Sequence, residues 1–220
     1  MSKKIMNLRK SEIIITLLII VSFATGASIY PVLPNQVASH WNMQGEVDGY
    51  MSRFWGAFFM PILSLAMGIL FYAVPRIDPK RKNIEKFRVY FDGFIIIMFL
   101  FLLYLYLLTI VWNLGYQFEL IIALSPAFAV LYYYVGILMS YARPNWSIGI
   151  RTPWTLSSAL VWDKTHDLSA KLFRLAGLFA LVGIILPSYA FLFIVIPALI
   201  ISVTAMLYSY LEYRKIHGKS

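Results

Sequence analysis

Five uninterrupted apolar runs, Ile13 to Leu33, Phe54 to Val74, Phe94 to Trp112, Leu120 to Tyr141 and Leu172 to Leu211, leave this chain little choice but a lipid bilayer. Each reaches the roughly 17–25 residues that a helix needs to cross about 30 Å of hydrocarbon. The last run, as one helix at 1.5 Å per residue, would extend roughly 60 Å, so it must fold back. Pro187-Ser188 is the turn-forming pair near its middle. The prediction is an all-α polytopic membrane protein of six transmembrane helices arranged as three hairpins. Charged residues make up 13% of the chain and mean hydropathy is +0.74, against roughly 25% charged in a soluble domain. With no cysteine, disulfides and thiolate metal sites are excluded. The first run follows the basic stretch MSKKIMNLRK and resembles a signal segment at the small residues Ala24 to Ser28. Its apolar length exceeds a usual signal core, so it reads as a retained span.

Charge sets the expected orientation. Of 19 basic residues, 18 fall before span one (Lys3, Lys4, Arg9, Lys10) or after spans two, four and six; Arg53 alone lies opposite. By the positive-inside rule both termini are cytoplasmic, in an inner membrane crossed several times. The extracytoplasmic parts reduce to Pro34 to Arg53, Asn113 to Glu119 and the Pro187-Ser188 turn. This divides the chain into an N-terminal hairpin, 1–90, with an extracytoplasmic loop 34–53 and a basic cytoplasmic loop 75–90. A four-helix region, 91–220, follows with a polar cytoplasmic loop 143–171. The even-numbered spans each carry a proline near the outer end, Pro61, Pro126 and Pro197, followed by a basic residue, Arg76, Arg143 and Arg214. Two readings stand: a degenerate repeat of three hairpins whose prolines kink the helices and open a shallow outer cavity, or coincidence, since proline is tolerated in membrane helices.

The span centres contain no Asp, Glu, Lys, Arg or His; Asp92, Glu119 and Arg174 stand at span ends. Ion-coupled pumps place ionisable groups at mid-depth, which argues against a secondary transporter. The tyrosines Tyr132, Tyr133, Tyr134, Tyr104, Tyr106, Tyr208 and Tyr210 fit interfacial belts and packing better than a ligand cage. The basic loop Pro75 to Arg88 suits anionic lipid headgroups rather than nucleic acid, since topology already demands cations there.

Two polar segments carry the specificity. The outer one, LPNQVASHWNMQGEVDGYMSR, has turn signals at Gly45 and Asp48-Gly49 and an extended stretch Val37 to Asn42, which predicts a small hairpin-like cap. His40, Glu46 and Asp48 are metal-ligand types, but their spacing matches no established site, so no metal or cofactor is assigned. The inner one starts irregularly at Arg143 to Thr155, broken by Pro144, Gly149 and Pro153, and turns helical from about Ser157. On that helix Ala159, Trp162, His166, Ala170 and Phe173 share one face, and Lys164, Asp167 and Lys171 are spaced for ion pairs on another. One reading makes Trp146, Trp154 and Trp162 interfacial anchors of an amphipathic element with Arg151 near lipid phosphates. The other has Arg151, Asp163 and His166 converging as a binding or switching site.

The run NWSIGIRTPWTL at Asn145 to Leu156, followed by VWDKTH at Val161 to His166 and by Lys171, resembles the signature of the SdpI family of bacterial immunity membrane proteins. The outer segment resembles the domain of unknown function that often precedes that signature, with Pro34, His40, Asn42, Gly45, Asp48 and Gly49 in order. The resemblance implies protection against a secreted, membrane-active peptide toxin, with a signal to a cytoplasmic regulator in some members. It brings no catalytic residue. Its binding or signalling candidates are Asn145, Gly149, Arg151, Thr152, Pro153, Thr155, Trp162 and His166, with neighbouring Asp163; Trp41 joins the outer-loop candidates. Expected partners are membrane lipids including anionic ones, a peptide toxin and a cytoplasmic regulator. The alternative is a membrane-embedded enzyme or lipid-handling protein working through the inner loop.

Overall fold

The computed structural model describes residues 9–218; Lys3, Lys4 and Lys219, which contribute to the charge asymmetry, lie outside the described residues. In chain order the elements are α1 (Lys10–Ile29), β1 (Gln36–Trp41), β2 (Val47–Ser52), α2 (Arg53–Ile77), a short α3 (Arg81–Lys86), α4 (Arg88–Asn113), α5 (Leu120–Tyr141), a short α6 (Pro153–Ser157), α7 (Ala159–Ile185), a 3-10 turn (Pro187–Tyr189) and α8 (Ala190–His217). Helices α1, α2, α4, α5, α7 and α8 are long and apolar enough to cross a membrane, six among the described residues. The long C-terminal block folds back at the expected proline. Leu186 leaves helical geometry and Pro187 opens the 3-10 turn.

Two boundaries differ from those read off the apolar runs. Helix α4 begins at Arg88 rather than Phe94, because the Arg88 Nε donates to Asp92 Oδ1 at 2.6 Å and the pair is carried within the helix. Helix α7 begins at Ala159, capped by the Ser158 hydroxyl, so its polar first turns are continuous with the apolar span. The prolines Pro61, Pro126 and Pro197 lie inside α2, α5 and α8 without ending them.

The packing runs mainly between chain neighbours. Helices α1, α2 and α4 contact one another; α4 also packs on α5, which lies against α7, while α7 lies against α8. The α5–α7 contact is the most extensive, and small residues make it so. A Cβ on Gly177 would stand 2.7 Å from the Ala129 carbonyl, and one on Gly136 2.7 Å from the Ala170 carbonyl. Membrane helices lack a hydrophobic drive toward each other, so close backbone approach supplies the dispersion contact that joins them. Gly177→Leu is therefore expected to force α5 and α7 apart and cost about 1–3 kcal/mol from overpacking. Thermal unfolding in detergent checks it, and an unchanged midpoint would show that the interface tolerates separation.

The main buried cluster gathers at the end of the bundle that carries the termini. Ile84 of α3, Phe87 between α3 and α4, Phe91, Ile95 and Phe99 of α4, Leu138 and Met139 of α5, Ile148 and Trp162 pack together there. The segment expected to be a basic, lipid-facing loop is thus partly interior: Ile84 and Phe87 are buried and Asp78 is 3% exposed.

Candidate functional site

The inner segment folds as a tight irregular loop over the start of α7, and each break in its sequence has a local cause. Asn145 is fully buried and uses all of its amide. Its Nδ2 donates to the Arg143 and Ile148 carbonyls at 2.8 and 2.9 Å, while Oδ1 accepts from the Ser147 and Ile148 N–H groups at 2.8 and 2.6 Å. Gly149 follows at φ 109°, in the left-handed region that only glycine enters freely. Thr152 caps α6: its hydroxyl accepts from Thr155 N at 3.2 Å, and the Thr155 hydroxyl accepts from Thr152 N at 2.9 Å, with Pro153 in the first turn. Thr152 also donates to the Ser209 hydroxyl of α8 at 3.0 Å, and the Thr155 hydroxyl reaches the Ile150 carbonyl at 2.8 Å.

Trp162 and His166 are the floor of this loop. Their rings stack with centroids 4.0 Å apart and 15° between planes. The Trp162 indole N–H donates to the Ala142 carbonyl at 3.0 Å. His166 Nε2 accepts from the Ile150 N–H at 3.1 Å, so its other nitrogen carries the proton and donates to the Trp162 carbonyl at 2.9 Å. Both ring nitrogens are occupied and the residue is 2% exposed. A Cβ on Gly149 would sit 2.5 Å from that Nε2, which is a second reason for glycine there.

Of the residues expected on one face of α7, Trp162, His166 and Ala170 are buried and Phe173 is half-buried, but Ala159 is exposed. Lys171 pairs with Asp167 at 2.7 Å as its spacing predicts, whereas Lys164 reaches Glu212 of α8 at 2.6 Å. Arg151, Asp163 and His166 do not converge. Arg151 is exposed and donates to the Trp146 carbonyl at 2.8 Å, and Asp163 is exposed with no side-chain hydrogen bond or ion pair among the described residues. Three tryptophans are not three anchors either: Trp146 is 50% exposed, Trp154 leans on Tyr210, and Trp162 is fully buried. The tyrosines form no cage among the described residues, with Tyr104, Tyr106 and Tyr132 donating to backbone carbonyls on different helices.

The loop is tied to the α2–α4 connection as well. Asp78 Oδ2 accepts from the Trp146 N–H at 3.0 Å and the Ser147 hydroxyl at 2.6 Å, and Asn83 Nδ2 donates to the Pro144 carbonyl at 2.8 Å. Neither partner is conspicuous within a basic loop. Also missed in the sequence is an ion network among helix ends: Glu12 Oε1 lies 2.6 Å from Arg76, Arg9 lies 2.7 Å from Glu85, and the Arg88–Asp92 pair adjoins them. The signal available was three acids interleaved with basic residues at the ends of three neighbouring spans.

At the other end of the bundle the outer segment forms the expected hairpin. Strands β1 and β2 are antiparallel, Val37 opposite Met51. Asn42 organises the turn, its Oδ1 accepting from Gln44 N and Glu46 N at 2.9 Å each, and Gly45 supplies φ 81°. Gly49 is not a turn residue: it lies in β2 opposite His40, at an irregularity in the register, where a Cβ would come 2.9 Å from the His40 Cβ. His40 Nδ1 and Asp48 Oδ1 are 2.5 Å apart and exposed, while Glu46 turns to Asn42 at 3.2 Å. Among the described residues no group of three such side chains is placed to hold a metal ion. Pro34 is exposed ahead of β1. The Asn113 amide, at the end of α4, accepts from Ala38 N at 2.7 Å and donates to Ala38 O at 3.0 Å, standing in for a neighbouring strand.

Beneath the hairpin lies a cavity of about 370 Å³ lined by Val37 to Met43 on one side and by Trp55, Phe59, Met60, Thr109 and Leu124 on the other. None of the three span prolines lines it; Pro197 borders a separate apolar groove between α7 and α8. Trp41 packs edge-on against Trp112 at 5.4 Å, and its indole N–H is buried without a partner at this cavity.

Comparison with known proteins gives two family matches and one relative. Residues 142–209 match the SdpI/YfhL protein family, and residues 17–65 match a domain of unknown function, DUF1648. The chain is 25% identical over 210 residues, 95% of its length and 99% of the relative's, to the immunity protein SdpI of Bacillus subtilis (strain 168). No solved structure matches.

Proposed function

We propose that this SdpI-like chain is a multi-pass immunity protein of the cytoplasmic membrane that protects its cell from a secreted, membrane-active peptide. What carries the reading is similarity from end to end to an immunity protein, covering 99% of that relative and both polar segments. The cytoplasmic placement of both termini rests on the sequence positions of 18 basic residues, which precede span one or follow spans two, four and six.

The hairpin and its cavity are the capture site in this reading. Its volume lies in the range of small-molecule and side-chain pockets, and its lining of Met43, Met51, Met60, Trp55 and Phe59 can adapt to an apolar peptide side chain. The unpartnered Trp41 indole N–H is a donor for a peptide carbonyl, because a buried donor gains most from the partner it lacks. The signature loop serves to hold the cytoplasmic ends of the helices together. Its exposed members Arg151, Pro153 and Asp163 are what a cytoplasmic regulator would meet. An enzyme acting through His166 is the weaker reading, since neither ring nitrogen is free to act as a base.

The test is survival of toxin-sensitive cells challenged with a panel of membrane-active peptides. Trp41→Phe keeps the ring and removes the N–H. It is expected to lower protection about tenfold or less, and Trp41→Ala to abolish it, at unchanged membrane abundance. Full protection by both variants would rule out capture at the hairpin.

A further inference from the structure

We propose that a second cavity, between α1, α2 and α4 at the terminal end of the bundle, binds one membrane phospholipid, with an acyl chain inside and the ester and phosphate oxygens at Arg88 and Ser11. This site is separate from the hairpin and does not depend on the immunity reading.

The cavity holds about 460 Å³ and is lined along most of its length by Ile15, Ile19, Phe23, Leu65 and Phe71. Its lip is made by Ile20 and Ile69, which are 56% and 63% exposed and therefore face lipid tails in a bilayer. From Ser11 to Phe23 the α1 wall rises about 18 Å at 1.5 Å per residue. That is close to the ~15 Å of a single leaflet. A chain entering from the side would run from the interface to the bilayer centre, as lipid tails do.

The polar end supplies donors that the protein leaves unused. The Ser11 hydroxyl is buried and has no hydrogen-bond partner among the described residues; the residue is 6% exposed. The Arg88 side chain is 7% exposed, and among the described residues its Nε alone is hydrogen-bonded, to Asp92. Its Nη atoms are 3.9 Å from Glu85 and 4.0 Å from Glu12, ion-pair distances beyond a hydrogen bond. Carboxyl esters and phosphodiesters offer acceptors and no donors, which complements a guanidinium and a hydroxyl. The three acids at this end do not repel a phosphate unopposed, since Glu85 is paired with Arg9 at 2.7 Å. Glu12 is held by Arg76 at 2.6 Å and Asp92 by Arg88 at 2.6 Å.

Native mass spectrometry of the full chain, extracted in mild detergent and stripped of surrounding lipid, tests the assignment. Wild type is expected to keep one phospholipid per chain. Leu65→Trp, at a 44% exposed position on the cavity, is expected to lower that fraction about tenfold by filling the space. Gly68→Leu, inside the cavity, gives a second filling variant, and Ser11→Ala is expected to weaken retention about threefold. Leu199→Trp, on the exposed face of α8, should leave retention unchanged. Thermal unfolding confirms that each variant is folded. The proposal fails if wild type keeps no lipid after stripping, if the retained species is a free fatty acid, or if folded Leu65→Trp and Gly68→Leu keep as much lipid as Leu199→Trp.

Discussion

Trp162→Ala should destabilise the protein by about 3–5 kcal/mol, the range for removing a fully buried large aromatic side chain. The indole fills the floor of the signature loop, with its N–H on the Ala142 carbonyl and its face on the His166 ring. Truncation therefore removes packing of the main buried cluster, the stack on His166 and the hydrogen bond from α7 to Ala142, the residue that follows α5. Water entering the space would leave the loop free to lift from α7. The measurement is unfolding in mixed micelles, read by tryptophan fluorescence against Trp162→Phe, which restores volume without the N–H and should recover more than half of the loss. A loss below about 1 kcal/mol for Trp162→Ala would show that the loop holds its shape by backbone contacts alone.

Gly149→Ala carries the next largest expected effect, about 2–3 kcal/mol from two sources that can be separated. One is the cost of a φ of 109° for an L residue. The other is the collision of its Cβ with His166 Nε2, which would push the ring off the Ile150 N–H and leave that buried donor unpaired. A double-mutant cycle with His166→Ala isolates the second part. The alanine at 149 should cost less when the imidazole is absent, by about 1 kcal/mol or more. Strict additivity would mean that the backbone conformation alone demands glycine.

The six spans were legible because span length is set by the bilayer and is therefore written as a continuous count of apolar residues. The hairpin was legible for a related reason, since the alternation from Val37 and the Asn and Gly of its turn are local signals. The stacking partners Trp162 and His166 were placed on one face by their four-residue spacing. What sequence periodicity could not supply was the partner of a polar group across the chain. Lys164 has a suitable acid three residues away in Asp167, yet its partner is Glu212 on another helix. Asp78 reads as a solvated residue among cations, and its use by Trp146 and Ser147 requires two loops far apart in sequence to meet. The convergence of Arg151 with His166 failed for the converse reason: Arg151 belongs to the irregular loop, whose side-chain directions no periodicity fixes, and it is exposed on the Trp146 carbonyl, whereas His166 is buried on α7.

The contact between the Asp78 to Asn83 connection and the Pro144 to Ser147 loop bears on how the molecule is made. A polypeptide is threaded into the bilayer from its N-terminus as it leaves the ribosome, and early segments associate before late ones exist. Asp78 and Asn83 precede their partners in the loop by 68 and 61 positions, so they are in the chain before residues 144–147 are made. The surface they offer is incomplete on its own, because Ile84 and Phe87 are buried against Ile148 and Trp162. The first half of the chain therefore supplies the anchors of the signature loop, and the loop in turn closes the core of that first half.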